Sequence, residues 1–86
     1  MTREEVANLV GEHALFADGL DDAIIGCAQR GALTVALYDA NKCIEILMRD
    51  EEMTYEDASE YFDYNILGAW VGEMTPAFAW LGEEIK

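Results

Sequence analysis

The sequence predicts an α+β fold: one domain spanning 1–86, with a single layer of about three short strands packed by about four helices. Two observations carry this. Helix starts recur at Thr2, Asp39 and Thr54, each a side chain able to accept a backbone N–H, each followed by apolar residues at three- and four-residue spacing. Between the helical patterns lies LTVALY, a run at 33–38 that is apolar at nearly every position and contains β-branched Thr34 and Val35. The strands are expected around 14–17, 33–38 and 77–81, and the helices around 3–10, 20–30, 40–50 and 55–67. A chain of 86 residues, just over half of them apolar or aromatic, buries enough surface to fold and is not of the disordered class.

Taken in order, Thr2-Arg3-Glu4-Glu5 forms a capping box, Val6, Leu9 and Val10 share one side, and Gly11 stops the first helix. Ala14-Leu15-Phe16-Ala17 is a short apolar run closed by the turn pair Asp18-Gly19, read as a short strand or extended segment. Asp18, Asp21 and Asp22 suit the positive end of a second helix, in which Leu20, Ala23, Ile24, Cys27 and Ala28 keep helical spacing up to Gly31. That segment has crossover length, so the first two strands are expected to be parallel if adjacent.

Beyond the 33–38 strand, Asp39 caps a helix whose inner stripe is Cys43, Ile44, Leu47 and Met48, with Lys42 and Glu45 placed to pair. Thr54 caps the fourth helix. On its wheel, Tyr55, Ala58, Tyr61, Phe62, Asn65, Ile66 and Ala69 face inward, while Glu56, Asp57, Glu60 and Asp63 face water. Gly72 and Thr75-Pro76 turn the chain into the last strand, and 82–86 reads as a frayed tail.

Charge excludes several functions. Eighteen acids against five bases leave a net charge of −13. Direct nucleic-acid binding needs a basic patch that is absent, and an anionic membrane would repel the chain. A basic protein, such as one that binds nucleic acid, is the natural partner. No apolar run approaches membrane-spanning length. The first ten residues lack the basic and apolar regions of a signal peptide, so the expected location is cytoplasmic.

The chemistry of catalysis is thin. His13 is the only histidine and Ser59 the only serine, and they leave no nucleophile–base–orienter set to assemble. Asp18, Asp21 and Asp22 lack calcium-loop spacing. Cys27 and Cys43 sit in apolar patterns without a CxxC motif and read as reduced core thiols. The expectation is no enzyme, no metal and no cofactor.

Residues 54–78 therefore form the structural centre and carry a binding face. Glu56, Glu60 and Asp63 lie at i, i+4 and i+7, on successive turns about 6 Å apart, comparable with successive phosphates along one DNA strand. Glu51, Glu52 and Asp57 lie alongside, and Tyr64, at the boundary between the two faces, is the aromatic contact candidate. Such a surface fits a basic nucleic-acid-binding groove on another protein.

Two segments are distinctive together: DGLDDAIIG at 18–26 and EYFDYNILGAWVGE at 60–73, followed by Thr75-Pro76 and Phe78. They resemble a group of short acidic proteins encoded by bacteriophages and some bacteria, over roughly residues 14–80. The resemblance brings no activity, cofactor or catalytic residue. It implies a small phage-type accessory protein in the host bacterial cytoplasm. Combined with the acidic helix, it gives the specific expectation of a DNA-mimic inhibitor of a nuclease, a CRISPR effector or a polymerase. The alternative is a homo-oligomeric structural or regulatory phage protein, with Trp70 and Trp80 burying a homodimer seam and the charge serving only solubility.

Overall fold

The structure, a computed structural model, describes residues 1–81. The tail expected at 82–86 lies outside the described residues. The architecture is α+β: a three-stranded mixed sheet with helices packed on it.

Helix α1, Arg3–Val10, begins as the sequence dictates. The Glu5 N–H donates to Thr2 Oγ1 at 3.1 Å, and Glu5 Oε1 accepts the Thr2 N–H at 2.8 Å. Gly11, at φ 109°, ends it by donating to the Ala7 carbonyl at 2.9 Å. Eight residues are marginal as an isolated helix, so docking must hold it. Val6 is buried, Val10 packs beside it, and Arg3 bridges to Asp21 at 3.1 Å while lying 4.5 Å from the centre of the Phe16 ring. Leu9, expected on the inner side, is exposed.

Three expectations fail between residues 14 and 30. The strand expected at 14–17 is irregular backbone, held by the Ala17 N–H donating to the hydroxyl of buried Tyr38 at 2.8 Å. Both sides of the central strand are already occupied, so this run does not pair with it. The helix expected at 20–30 is a single 3₁₀ turn, Asp21–Ala23, followed by strand β1, Ile24–Arg30. Ile24 and Ile25 are β-branched, and Gly26 weakens a helix further. The parallel pairing expected of 14–17 with 33–38 does not form; β1 instead runs directly into β2, Leu33–Asp39, as an antiparallel hairpin through Gly31 and Ala32. Gly31, at φ 60°, takes the first central position of that two-residue turn, where a hairpin favours glycine. A register shift at Ile25 bulges the far end of the hairpin and leaves Ile25 exposed while Ile24 is buried.

Strand β2 is central, and β3, Ala77–Ala79, lies parallel on its other side, with Tyr38 opposite Phe78. Helix α2, Ala40–Asp50, is capped by Asp39, whose carboxylate accepts the Lys42 N–H at 3.2 Å. It buries Ala40, Cys43, Ile44, Ile46 and Leu47; Met48, expected in the inner stripe, is exposed, and Ile46, not part of that stripe, is buried. The Lys42–Glu45 pair forms at 3.7 Å. At the acid-rich C-terminus Arg49 Nε binds Asp50 at 2.7 Å, which relieves part of the unfavourable charge there.

Helix α3, Tyr55–Tyr61, is capped by Thr54, which accepts the Asp57 N–H at 3.2 Å. It is followed by a π-helical segment, Phe62–Leu67, so the expected helix at 55–67 is continuous in path but widens halfway. The helix enters the core through Ala58 and Phe62, and Tyr55 and Tyr61, expected inward, lie exposed on its flanks. Phe62 meets Phe78 edge-on at 5.3 Å, and Phe78 stacks at 30° on Tyr38 at 5.4 Å. This aromatic line ties the π-helical segment to the sheet.

Candidate functional site

The structure divides the expected binding residues: four line one depression, Glu51 lines a separate groove, and Glu52 and Tyr64 line neither. Glu56, Asp57, Glu60 and Asp63, with Tyr55 and Ser59, surround one shallow depression of about 400 Å³ on the outer side of α3. All four carboxylates are exposed, and no base among the described residues lines the depression. Asp63, seven residues after Glu56, falls on the same side as Glu56 and Glu60. Glu51 belongs elsewhere: it lines a second, larger groove. Glu52 is exposed in the connection between α2 and α3, at φ 55°, in the left-handed region that non-glycine residues seldom occupy. Tyr64 is 81% exposed.

The larger groove, about 680 Å³, has walls from four separate parts of the chain: residues 15–20, the C-terminal end of α2, the π-helical segment, and the loop leading into β3. Its floor is apolar, including Leu47, Ile66 and Phe78, and exposed Leu15, Tyr61 and Val71 stand at its margins. Among the described residues its charged lining is Asp18, Asp50 and Glu51, with no Lys, Arg or His. Asp50 is engaged by Arg49, whose guanidinium holds that carboxyl below its usual range.

Backbone and buried polar bonds fix the walls. The Gly68 N–H reaches the Asp63 carbonyl at 3.0 Å, closing the wide π turn. The loop at 69–76 is pinned by buried Thr75: its Oγ1 donates to the Gly72 carbonyl at 2.6 Å and accepts the Val71 N–H at 2.9 Å. From the hairpin, Arg30 Nη1 donates to the Glu73 and Thr75 carbonyls at 3.2 and 2.8 Å, and its guanidinium carbon lies 5.1 Å from the Trp70 ring centre. Trp70 itself is exposed, as is Trp80, which touches Phe62 edge-on at 5.9 Å.

Cys27 and Cys43 are free thiols, the first half-buried and the second fully buried. Burial pushes the Cys43 thiol up to about 12, with Asp39 adding to the shift, so it is inert rather than nucleophilic. Among the described residues no cluster of three or more potential metal ligands occurs. No helix among the described residues is long and apolar enough to cross a membrane.

The groove and the π-helical segment were not foreseen. The groove's walls are far apart in sequence, so no local pattern marks it. For the π turn, the one available signal is Gly68, five residues after Asp63. No protein-family model, curated protein or solved structure matches this chain significantly, so its function is argued from these surfaces.

Proposed function

We propose that this chain is a small acidic, phage-type accessory protein that binds a basic protein of the bacterial cytoplasm through the outer face of α3. The observation that supports the reading most is the gathering of Glu56, Asp57, Glu60 and Asp63 around one solvent-open depression without a base. A row of carboxylates on one rigid element presents negative charge in the manner of a nucleic-acid strand. The natural receptor is a groove that normally holds phosphates, in a nuclease, a CRISPR effector or a polymerase. Binding there blocks nucleic acid without any chemistry by this chain, and its net charge of −13 steers the encounter.

The test uses host lysate passed over immobilised protein, followed by elution with rising salt or with short duplex DNA. The expected partner is a basic protein released by both, and absent when Glu56, Glu60 and Asp63 are all replaced by Lys. Retention by the triple variant sinks the acidic-face reading; release by salt but not by DNA sinks the mimicry.

The exposure of Trp70 at 64% and Trp80 at 54% favours a second reading, a homo-oligomer assembled through these rings. An apolar seam of that kind holds at high salt, where the electrostatic complex weakens.

A further inference from the structure

From the groove beneath Tyr61 we infer that a cationic amphipathic segment of a protein partner docks there, its apolar side chains on the floor and its Lys or Arg side chains on the acidic margin. The inference rests on the reading that the partner is a basic protein, and adds where that partner is anchored.

Three features select this occupant. The volume of about 680 Å³ falls in the range of formed binding pockets and accommodates more than one apolar side chain. Leu15, Tyr61 and Val71 leave apolar area exposed at the margin among the described residues. The charged lining is wholly acidic, and Asp18 and Glu51 are exposed. Charge decides among occupants. An anionic lipid surface or a nucleic acid meets repulsion at Asp18 and Glu51. A second copy of the chain brings another −13 and sets these acids against its own. A segment with apolar residues on one face and bases at the adjacent turns satisfies both parts, in the manner of a helix laid in a groove.

The probe is a synthetic 14-residue Leu/Lys peptide with an amphipathic helical pattern, compared with a peptide of the same composition in scrambled order. Binding is measured by calorimetry at 0.3 M NaCl, and the site is located by amide chemical shifts. Ala69 is exposed and lines the groove, so Ala69→Arg places a cation in it without disturbing the core. Val71→Ser removes apolar wall and serves as an independent variant.

The expected result is saturable binding with shifts at Leu15, Ile66 and Val71. Affinity falls at least tenfold in Ala69→Arg, severalfold in Val71→Ser and for the scrambled peptide, and less than threefold when Glu56, Glu60 and Asp63 become Gln. The opposite pattern, insensitivity to Ala69→Arg with loss in the triple Gln variant, overturns the groove while leaving the acidic face as the binding surface. Absence of saturable binding overturns it as well. So does a concentration-dependent dimer of the wild-type chain that Ala69→Arg dissociates, because the groove then belongs to a second copy. A partner captured from lysate but lost only from the triple Lys variant upholds the acidic face without the groove, which keeps the two failures separate.

Discussion

Gly68 and Asp63 close the π-helical turn on each other: the Gly68 N–H meets the Asp63 carbonyl oxygen at 3.0 Å, and a Cβ on Gly68 would lie 2.9 Å from that same oxygen. The obstruction is backbone, not a flexible side chain, so it cannot simply swing aside. A π-helical run of six residues is a rare and weakly favoured geometry. Here it sets Ile66 against the core while presenting Tyr64 to solvent, and it forms one wall of the apolar groove.

Replacing Gly68 with Ala should therefore destabilise the fold by about 1–3 kcal/mol, the usual cost of forcing an extra methyl into a closed space. The more informative readout is local. Amide shifts across 61–71 should change together as the π turn reopens, while those of the β1–β2 hairpin stay in place. Unchanged shifts with an unchanged melting temperature would show that the turn has room for a side chain.

Arg30 should behave as the clasp of the 69–76 loop. Its Nη1 serves two carbonyls across more than forty residues of chain, and Trp70 lies against the guanidinium. Arg30→Met keeps much of the apolar stem and removes the donors and the charge, so the expected loss is about 2 kcal/mol, in the range for hydrogen bonds to charged groups. Hydrogen exchange at Val71 should accelerate as Thr75 loosens. If exchange there is unaffected, the loop is held by Thr75 alone.

The β1–β2 hairpin marks the limit of what the sequence discloses. Thr2, Asp39 and Thr54 cap helices as expected because capping is a local interaction, complete within four residues. Leu33–Asp39 is a strand for a similar reason, being too apolar and β-branched to read otherwise. Residues 20–30 satisfy two readings at once, since Leu20, Ala23, Ile24 and Cys27 match a helical stripe. Gly31 at positive φ serves equally as a helix stop or a hairpin turn. The choice was made by β2, which needed an antiparallel partner, and no local pattern encodes that demand. The same holds for the binding surfaces: the solvent-facing carboxylates of α3 were legible from one helix's periodicity, whereas the groove exists only where four distant segments meet.

Alkaline pH should weaken the fold through Cys43. Burial raises its thiol from 9.0 to about 12, and burial also raises the buried Tyr38 hydroxyl, partly offset by the bond from Ala17. A group whose folded value is raised holds its proton more tightly in the native chain. Its contribution is intact below the unfolded value and declines as pH climbs through the folded one. Stability measured by denaturant titration should accordingly fall between about pH 9 and 12, and the part due to the thiol should vanish in Cys43→Ala. Iodoacetamide at pH 8 should modify half-buried Cys27 in the native protein and reach Cys43 only on unfolding. Native-state labelling of Cys43 at a comparable rate would contradict its burial.

The acidic face should prove costly to the fold that carries it. Exchanging Glu56, Glu60 and Asp63 for Lys moves the net charge from −13 by two units at each of the three sites. None of the three makes an ion pair among the described residues. The loss of favourable charge at the start of α3 is limited to Glu56, worth roughly 0.3–1 kcal/mol, and set against it is relief of repulsion across the whole molecule. At low ionic strength the triple variant should melt no lower than the wild-type chain. Raising NaCl to 0.5 M should stabilise the wild type more than the variant, because there is more repulsion to screen. A variant that unfolds at low salt would mean that these carboxylates support the helix. A variant that folds normally but no longer binds a basic partner would mean that charge harmful to stability is retained for recognition.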